Sequence, residues 1–221
     1  ALDRLVYENR AFALDHLDVQ TDGVISNKQL REWASVKMGA NLFALDLSRV
    51  KRNLELVPSI RSVAIERVLP STLRIRVSER KPIAQVLLTQ VPAGAQDRNT
   101  YLLDVHGYVM LPLEPQQRSV PVQTNESLTT LIGIPMAVLR PSQQVESSQV
   151  RAALALIDAF KRSSMAGLLN LKQIDVSAPN ILQVTTGHGN EVTFGLNDLD
   201  AQLRHWHAVY DRGQKIDLRQ P

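Results

Sequence analysis

The sequence predicts an α+β protein of two domains. The first has the order strand, helix, helix, strand, strand, and the second is a mixed α/β domain with an extended, largely antiparallel sheet. The chain has 221 residues, 44% of them hydrophobic, which is enough to build buried cores. Segments in which apolar residues alternate with polar ones are interspersed with segments that have apolar residues at helical spacing. A net charge of +3 is too small for this length to indicate a nucleic-acid-binding surface.

The first two elements are a strand and a helix. Residues 12–20 have an apolar alternation with one slip, which predicts a strand with a bulge or a bend. Ser26 and Gln29 have the spacing of a capping box, and Gly39 stands where a C-terminal glycine cap belongs. A helix is therefore predicted between these signals.

A second helix and a hairpin complete the predicted first domain. Asp46 is the expected N-cap of this helix, and Pro58 is expected to end it. Two alternating segments follow, residues 61–68 and 71–80, and each predicts a strand.

The second strand of this hairpin carries a row of arginines. Apolar residues from Leu73 to Val77 alternate with Arg74 and Arg76, so both arginines share the face that points away from the core. This face is either the solvated side of the sheet, with Glu66 pairing across the hairpin, or a surface for an acidic partner.

The sequence ERKP, residues 79–82, predicts a stiff joint, because Pro82 holds the preceding residue in extended geometry. The predicted domains are residues 12–80 and 81–221. Residues 1–11 form an N-terminal stub that is expected to follow a membrane anchor, since the chain opens without an initiator Met. No apolar run reaches the roughly 20 residues that span a bilayer.

The second domain is predicted to be rich in strands. A hairpin is expected to turn at residues 104–107, and a helix is expected over residues 142–165. Three short strands are predicted within residues 172–195, followed by a helix capped by Asn197. The alternating sequence KIDLR, residues 215–219, predicts a last strand.

The motifs that could carry chemistry are weak. His205 and His207 are two residues apart on a helix and do not face each other, so no metal site is predicted. The glycines of residues 187–189 lie between strands and predict a hairpin turn instead of a phosphate loop. Asp104 and His106 could form an acid–base pair, but a turn-stabilising aspartate is the favoured interpretation. We expect no cofactor, no metal and no catalytic residue, and therefore no enzyme.

Four motifs between residues 41 and 84 form a recognisable succession: NLF at 41–43, PSI at 58–60, RVLPSTLRIRV at 67–77 and ERKPIA at 79–84. This succession resembles the POTRA domain of the FtsQ/DivIB family of bacterial cell-division proteins. The likeness to outer-membrane-assembly POTRA proteins is weaker, because their units come in tandem. The later sequences LLDVHGYV and KIDLR also resemble segments of the FtsQ/DivIB family.

The resemblance implies a non-enzymatic scaffold that joins early and late division proteins at the septum and binds the FtsB and FtsL pair. It also implies a single-pass inner-membrane protein with this region on the periplasmic side, and no nucleic-acid partner. The expected mechanism is strand addition at an exposed sheet edge. The predicted partner-binding residues are Lys215, Ile216, Asp217, Leu218 and Arg219. A possible second partner surface comprises Arg74, Arg76 and Arg80.

Two other functions stay open from the sequence. A POTRA module could chaperone exported or outer-membrane polypeptides, also by strand addition. More remotely, a hydrolase could use Asp104 and His106.

Overall fold

The structure is a computed structural model. It describes residues 10–88, 100–121, 128–210 and 216–217. The described strands form two sheets, one of three strands and one of eight. Contacts divide the described residues into two compact units, and the first contains residues 10–80 together with residues 113–121. The predicted α+β class is confirmed.

The first unit has the predicted order of elements. They are β1 (His16–Thr21), α1 (Asn27–Ala34), α2 (Leu47–Glu55), β2 (Ile60–Val68) and β3 (Thr72–Glu79). The sheet order is β1-β3-β2, so the last strand is central and pairs in parallel with β1 and antiparallel with β2. A 3₁₀ turn at Arg10–Phe12 precedes β1, so this strand begins later than its apolar pattern indicates.

Both helices of the first unit begin at the predicted caps. The Ser26 hydroxyl accepts a hydrogen bond from the Gln29 N–H at 3.2 Å. The Asp46 carboxylate accepts one from the Arg49 N–H at 3.0 Å. Each cap satisfies a backbone donor that the first turn of a helix leaves unpaired.

The predicted glycine cap of α1 is wrong. The helix ends at Ala34, and Ser35 is the C-cap, with a φ of 52°. Its N–H bonds back to the carbonyl of Arg31. A serine therefore adopts the left-handed conformation that glycine usually supplies, and Gly39, with a φ of +79°, belongs to the turn that follows.

The two helices cover one face of the three-stranded sheet. Leu73, Ile75 and Val77 of β3 are buried, as predicted, with exposures of 0%, 0% and 4%. They share a core with Leu30 of α1 and Leu54 of α2. The arginines that alternate with them lie on the uncovered face of the sheet.

The second unit contains a mixed sheet and two helices within the described residues. Its elements are β4 (Pro82–Leu87), β5 (Thr100–Asp104), β6 (Val109–Met110), β7 (Thr129–Ile132), α3 (Ser148–Arg162), β8 (Leu171–Asp175), β9 (Ile181–Thr186), β10 (Glu191–Gly195), α4 (Leu199–Val209) and β11 (Ile216–Asp217). The strand order is β11-β10-β9-β8-β7-β4-β5-β6. Four of its pairings are antiparallel, and three, β4 with β7, β7 with β8 and β10 with β11, are parallel.

A segment beyond β6 packs against the first unit. We call residues 113–121 the strap. The Ser26 N–H donates to the Gln117 carbonyl at 2.8 Å, and the Ser119 N–H donates to the Val24 carbonyl at 2.7 Å. Sequence reasoning assigned this stretch to the second domain, whereas these contacts lie with the first unit.

Candidate partner-binding site

The predicted partner-binding strand lies at one end of the eight-stranded sheet. Ile216–Asp217 form β11, which pairs in parallel with β10. Ile216 is the partner of Val192, and Asp217 is the partner of Thr193. Among the described strands, none pairs with the other side of β11. A free strand side presents N–H and C=O groups at the spacing that an extended segment needs.

The remaining residues of the predicted strand, Lys215, Leu218 and Arg219, lie outside the described residues. Their part in partner binding stays a prediction.

The chain itself covers the opposite end of this sheet. The Val109 N–H in β6 donates to the Gln143 carbonyl at 2.9 Å, and the Val109 carbonyl accepts from the Ser142 N–H at 2.9 Å. An isolated antiparallel bridge joins Tyr108 to Gln144. The two ends of the sheet therefore differ, because backbone groups of β6 are bonded within the chain.

The strand beside β11, which is β10, packs closely against α4. Phe194 in β10 is 0% exposed, and its ring lies edge-on to Trp206 of α4, with centroids 5.7 Å apart. The Gln202 side chain accepts from the Gly195 N–H at 2.8 Å and donates to the Asn197 carbonyl at 2.6 Å. The end of β10 and the start of α4 are thus tied together, which fixes the strand that positions β11.

The predicted N-cap of α4 is displaced by one residue. Asn197 was expected, but Asp198 occupies the N-cap position with a φ of 51°, and its side chain makes no capping hydrogen bond. Gln202 holds the loop before the helix instead.

The arginine face of β3 is only partly available for a partner. Arg74 Nε donates to Asp18 Oδ2 at 2.9 Å, and Arg74 Nη1 lies 3.7 Å from Glu66 Oε2. The predicted pairing with Glu66 across the hairpin is therefore present. Arg76 is exposed on the same face, whereas Arg80 follows the end of the strand.

The central ion pair of this face changes the acidity of both partners. The hydrogen bond from Arg74 lowers the pKa of Asp18 below its ordinary value of 3.8, and the positive charges of Arg74 and Arg76 add to that effect. The same hydrogen bond raises the pKa of Arg74. The charge of Arg74 is thus largely balanced within the sheet.

Sequence reasoning missed a buried carboxylate at the end of β3. Glu79 is 6% exposed. Its oxygens accept hydrogen bonds from the N–H groups of Val24 and Ile25 at 2.8 and 2.9 Å and from the Thr21 hydroxyl. The signal was in the alternation, because Glu79 has the same inward parity as Val77.

The residues considered for chemistry have structural roles or stand apart. Asp104 Oδ1 accepts from the N–H groups of His106 and Tyr108, both at 2.9 Å, which is the arrangement of a turn-stabilising aspartate. His205 and His207 are exposed on α4. In the parts of the chain that the structure describes, no three His, Cys, Asp or Glu side chains gather into a possible metal site.

Family models match both parts of the chain. Residues 12–80 match the FtsQ-type POTRA domain, so the chain is a POTRA-domain protein. Residues 93–219 match the C-terminal domain of the cell division proteins FtsQ and DivIB. The chain belongs to the FtsQ/DivIB family of cell division proteins, and the resemblance predicted from its motifs is confirmed.

Curated relatives carry the same names. The cell division protein FtsQ of Syntrophotalea carbinolica is 25% identical over 208 residues, which cover 94% of this chain and 68% of that protein. FtsQ of Koribacter versatilis is 24% identical over 221 residues, covering 93% of this chain and 57% of the relative. DivIB of Clostridium acetobutylicum is 26% identical over 99 residues, covering 45% and 36%. The chain thus spans only part of the length of these relatives.

Among the described helices, none combines the length and the apolar character that crossing a bilayer requires.

Proposed function

We propose that this chain is a non-enzymatic scaffold of the division septum that joins early and late division proteins by accepting a partner strand at β11. The observation that carries the proposal is the place of β11 at the end of the sheet, where one side of its backbone has no partner strand among the described residues. Membership of a cell-division family supports the septal role.

Strand addition explains how such an edge would select a partner. Main-chain hydrogen bonds supply affinity for an extended segment, and alternate side chains set its register. The covered edge at β6 and the close packing of β10 against α4 favour β11 as the place of addition. The proposed partner is the FtsB and FtsL pair, met on the periplasmic side by a protein that one transmembrane helix holds in the inner membrane.

The experiment that tests this proposal is the charge reversal Arg219→Glu in the full chain. A charge-assisted hydrogen bond is worth roughly 1.5 to 3 kcal/mol, so binding of an extended FtsB peptide should weaken by about tenfold or more. The melting temperature should stay nearly unchanged. Isothermal titration calorimetry and thermal unfolding measure the two quantities.

The matched control is Arg76→Glu, which reverses an exposed charge on the three-stranded sheet. Unaltered binding of Arg219→Glu, with the wild-type chain shown to bind, would remove Arg219 from the site. Loss of binding in the control alone would move the site to the arginine face.

A scrambled FtsB peptide separates the scaffold from a chaperone of exported or outer-membrane polypeptides. A scaffold should discriminate against the scrambled sequence, since side chains set the register of the added strand. Equal affinities for both peptides would favour the chaperone function.

A further inference from the structure

A groove of about 490 Å³ lies in the first unit, between the end of α1 and the start of α2. This volume is in the range of ligand-binding pockets. Apolar atoms of Val36, Leu45 and Val50 contribute to its lining, and Lys37 and Arg49 lie among the polar lining residues. We call this cavity the α1–α2 groove.

The cations of the α1–α2 groove have no ion-pair partner among the described residues. The side chains of Lys37 and Arg49 are exposed. Asp46, the acidic residue of the lining, caps α2 through the Arg49 N–H and lies 3.9 Å from Arg52 Nη2. The groove therefore combines apolar lining with two positive charges that a carboxylate could approach.

The wall of the groove is held in place from the sheet. Arg67 of β2 donates from Nε to the Leu42 carbonyl at 2.7 Å and from Nη2 to the Leu45 carbonyl at 2.8 Å. Leu42 is itself 0% exposed. These bonds hold the segment between the two helices, which includes the lining residue Leu45, against the sheet.

We propose that the α1–α2 groove binds a short acidic segment of a partner protein, which inserts apolar side chains while its carboxylates meet Lys37 and Arg49. Concave shape, apolar lining and complementary charge all favour such a segment. An anionic bilayer is flat and would contact exposed cations on the helices whether or not they line a groove. The site is independent of strand addition at β11.

A short helical peptide of glutamate and leucine is the probe, with a lysine–leucine and a glutamate–serine peptide as controls. Titration into the full chain, followed by amide NMR, should move the signals of residues that line the groove. The double variant Lys37→Glu with Arg49→Glu should bind at least about tenfold more weakly, because both attractions become repulsions. The matched control is Lys28→Glu with Arg31→Glu, which changes the charge equally on exposed residues outside the lining and should retain binding.

A second variant tests the shape of the groove without changing its charge. Ala44 is exposed and lines the groove, so Ala44→Trp should obstruct part of it and weaken binding while the melting temperature stays the same. Equal loss in both charge variants would overturn the proposal, as would full binding by Ala44→Trp. Binding of phosphatidylglycerol vesicles without binding of the glutamate–leucine peptide would assign the cations to a membrane surface and would also overturn it.

Discussion

Glu79 is a charged side chain held almost entirely inside the first unit. Its carboxylate accepts from two backbone N–H groups of the segment that leads into α1. Gly23 lies against it, and a Cβ atom added there would come within 2.2 Å of the Glu79 carboxylate. A buried carboxylate is tolerated only where its oxygens accept hydrogen bonds. Glu79 therefore holds the segment before α1 in place, and the N–H groups of that segment stabilise the carboxylate.

Glu79→Ala should destabilise the first unit, because the backbone N–H groups that donate to the carboxylate would lose their acceptor. The expected loss in free energy of unfolding is roughly 1–3 kcal/mol for each N–H left buried and unpaired. Urea denaturation measures this loss. Glu66→Ala, an exposed glutamate on the same sheet, should change stability by about 0.5 kcal/mol or less. Similar losses in the two variants would contradict the assigned role.

Ile75 and Arg76 are adjacent residues on opposite faces of β3, so their alanine variants compare a buried side chain with an exposed one. Ile75 is 0% exposed, so its truncation should cost roughly 2–5 kcal/mol through lost burial and a residual cavity. Arg76 is exposed, and its truncation should cost less than about 0.5 kcal/mol. Chemical denaturation compares the pair, and comparable losses would show that the register of β3 is wrong.

Alternation in the sequence was sufficient to assign the two faces of β3. The same alternation gives Glu79 the inward parity that sequence reasoning overlooked, but it indicates no partner for the carboxylate. That partner is the backbone of Val24 and Ile25, which lies 54 or more residues earlier in the chain. A local sequence pattern indicates which way a side chain points, whereas the hydrogen-bond donors of a buried carboxylate can come from residues that are distant in the sequence.

The parallel ladder of β1 and β3 sets the neighbours of the arginine face. It places Asp18 opposite Arg74, across a separation of 56 residues. The hairpin predicted Glu66 as a partner because β2 and β3 are adjacent in sequence. The sequence did not indicate that β1 pairs with β3, because parallel strands are not joined by a tight turn that can be recognised in the sequence.

Acidification should weaken the first unit through Asp18. Its pKa is lowered in the folded state, so its stabilising effect is complete above the ordinary value of 3.8 and is lost as the pH falls through the lower, folded value. The difference in melting temperature between the wild type and Asp18→Asn should therefore be larger near pH 6 than near about pH 2. A difference that is the same at both pH values would contradict this assignment.

The starts of α1 and α2 were predictable, whereas α3 was expected from residue 142 and begins at Ser148. Ser26 and Asp46 cap through their own side chains, which is a signal within four residues. The end of α1 depends on Ser35 adopting a left-handed backbone that most sequences reserve for glycine. In the second unit, the loop before α4 depends on Gln202, a residue of the helix interior, so the cap position at Asp198 had no local signal.

The strap gives the first unit a contribution from a distant part of the chain. Leu113 packs against the core of the first unit, and Ser119 bonds to Val24 across 95 residues. Sequence reasoning predicted a joint at residues 79–82 from a proline and a family motif. It could not place the strap, because polar, proline-containing segments have no periodicity to read. We propose residues 80 and 81 as the domain boundary, with the strap as an addition to the first domain.

Ser119→Pro should loosen the strap, because proline removes the N–H that donates to the Val24 carbonyl. Loss of a hydrogen bond of about 1 kcal/mol corresponds to a roughly fivefold larger equilibrium constant for local opening, so the Ser26 amide should exchange its hydrogen roughly fivefold faster. Val120→Ala changes an exposed neighbour and should leave that exchange rate unchanged. Unaltered exchange in Ser119→Pro would show that the strap does not protect Ser26.

The parallel pairing of β1 and β3 decides how these two strands would respond to a force applied at their ends. The chain enters β1 at His16 and leaves β3 at Glu79, and these two strands lie side by side in parallel. Opposite forces applied at His16 and at Glu79 would slide one strand along the other, so the hydrogen bonds between the strands would be loaded together instead of one at a time. The β1–β3 pair would therefore bear such a force in shear, with its strands parallel to the direction of the pull.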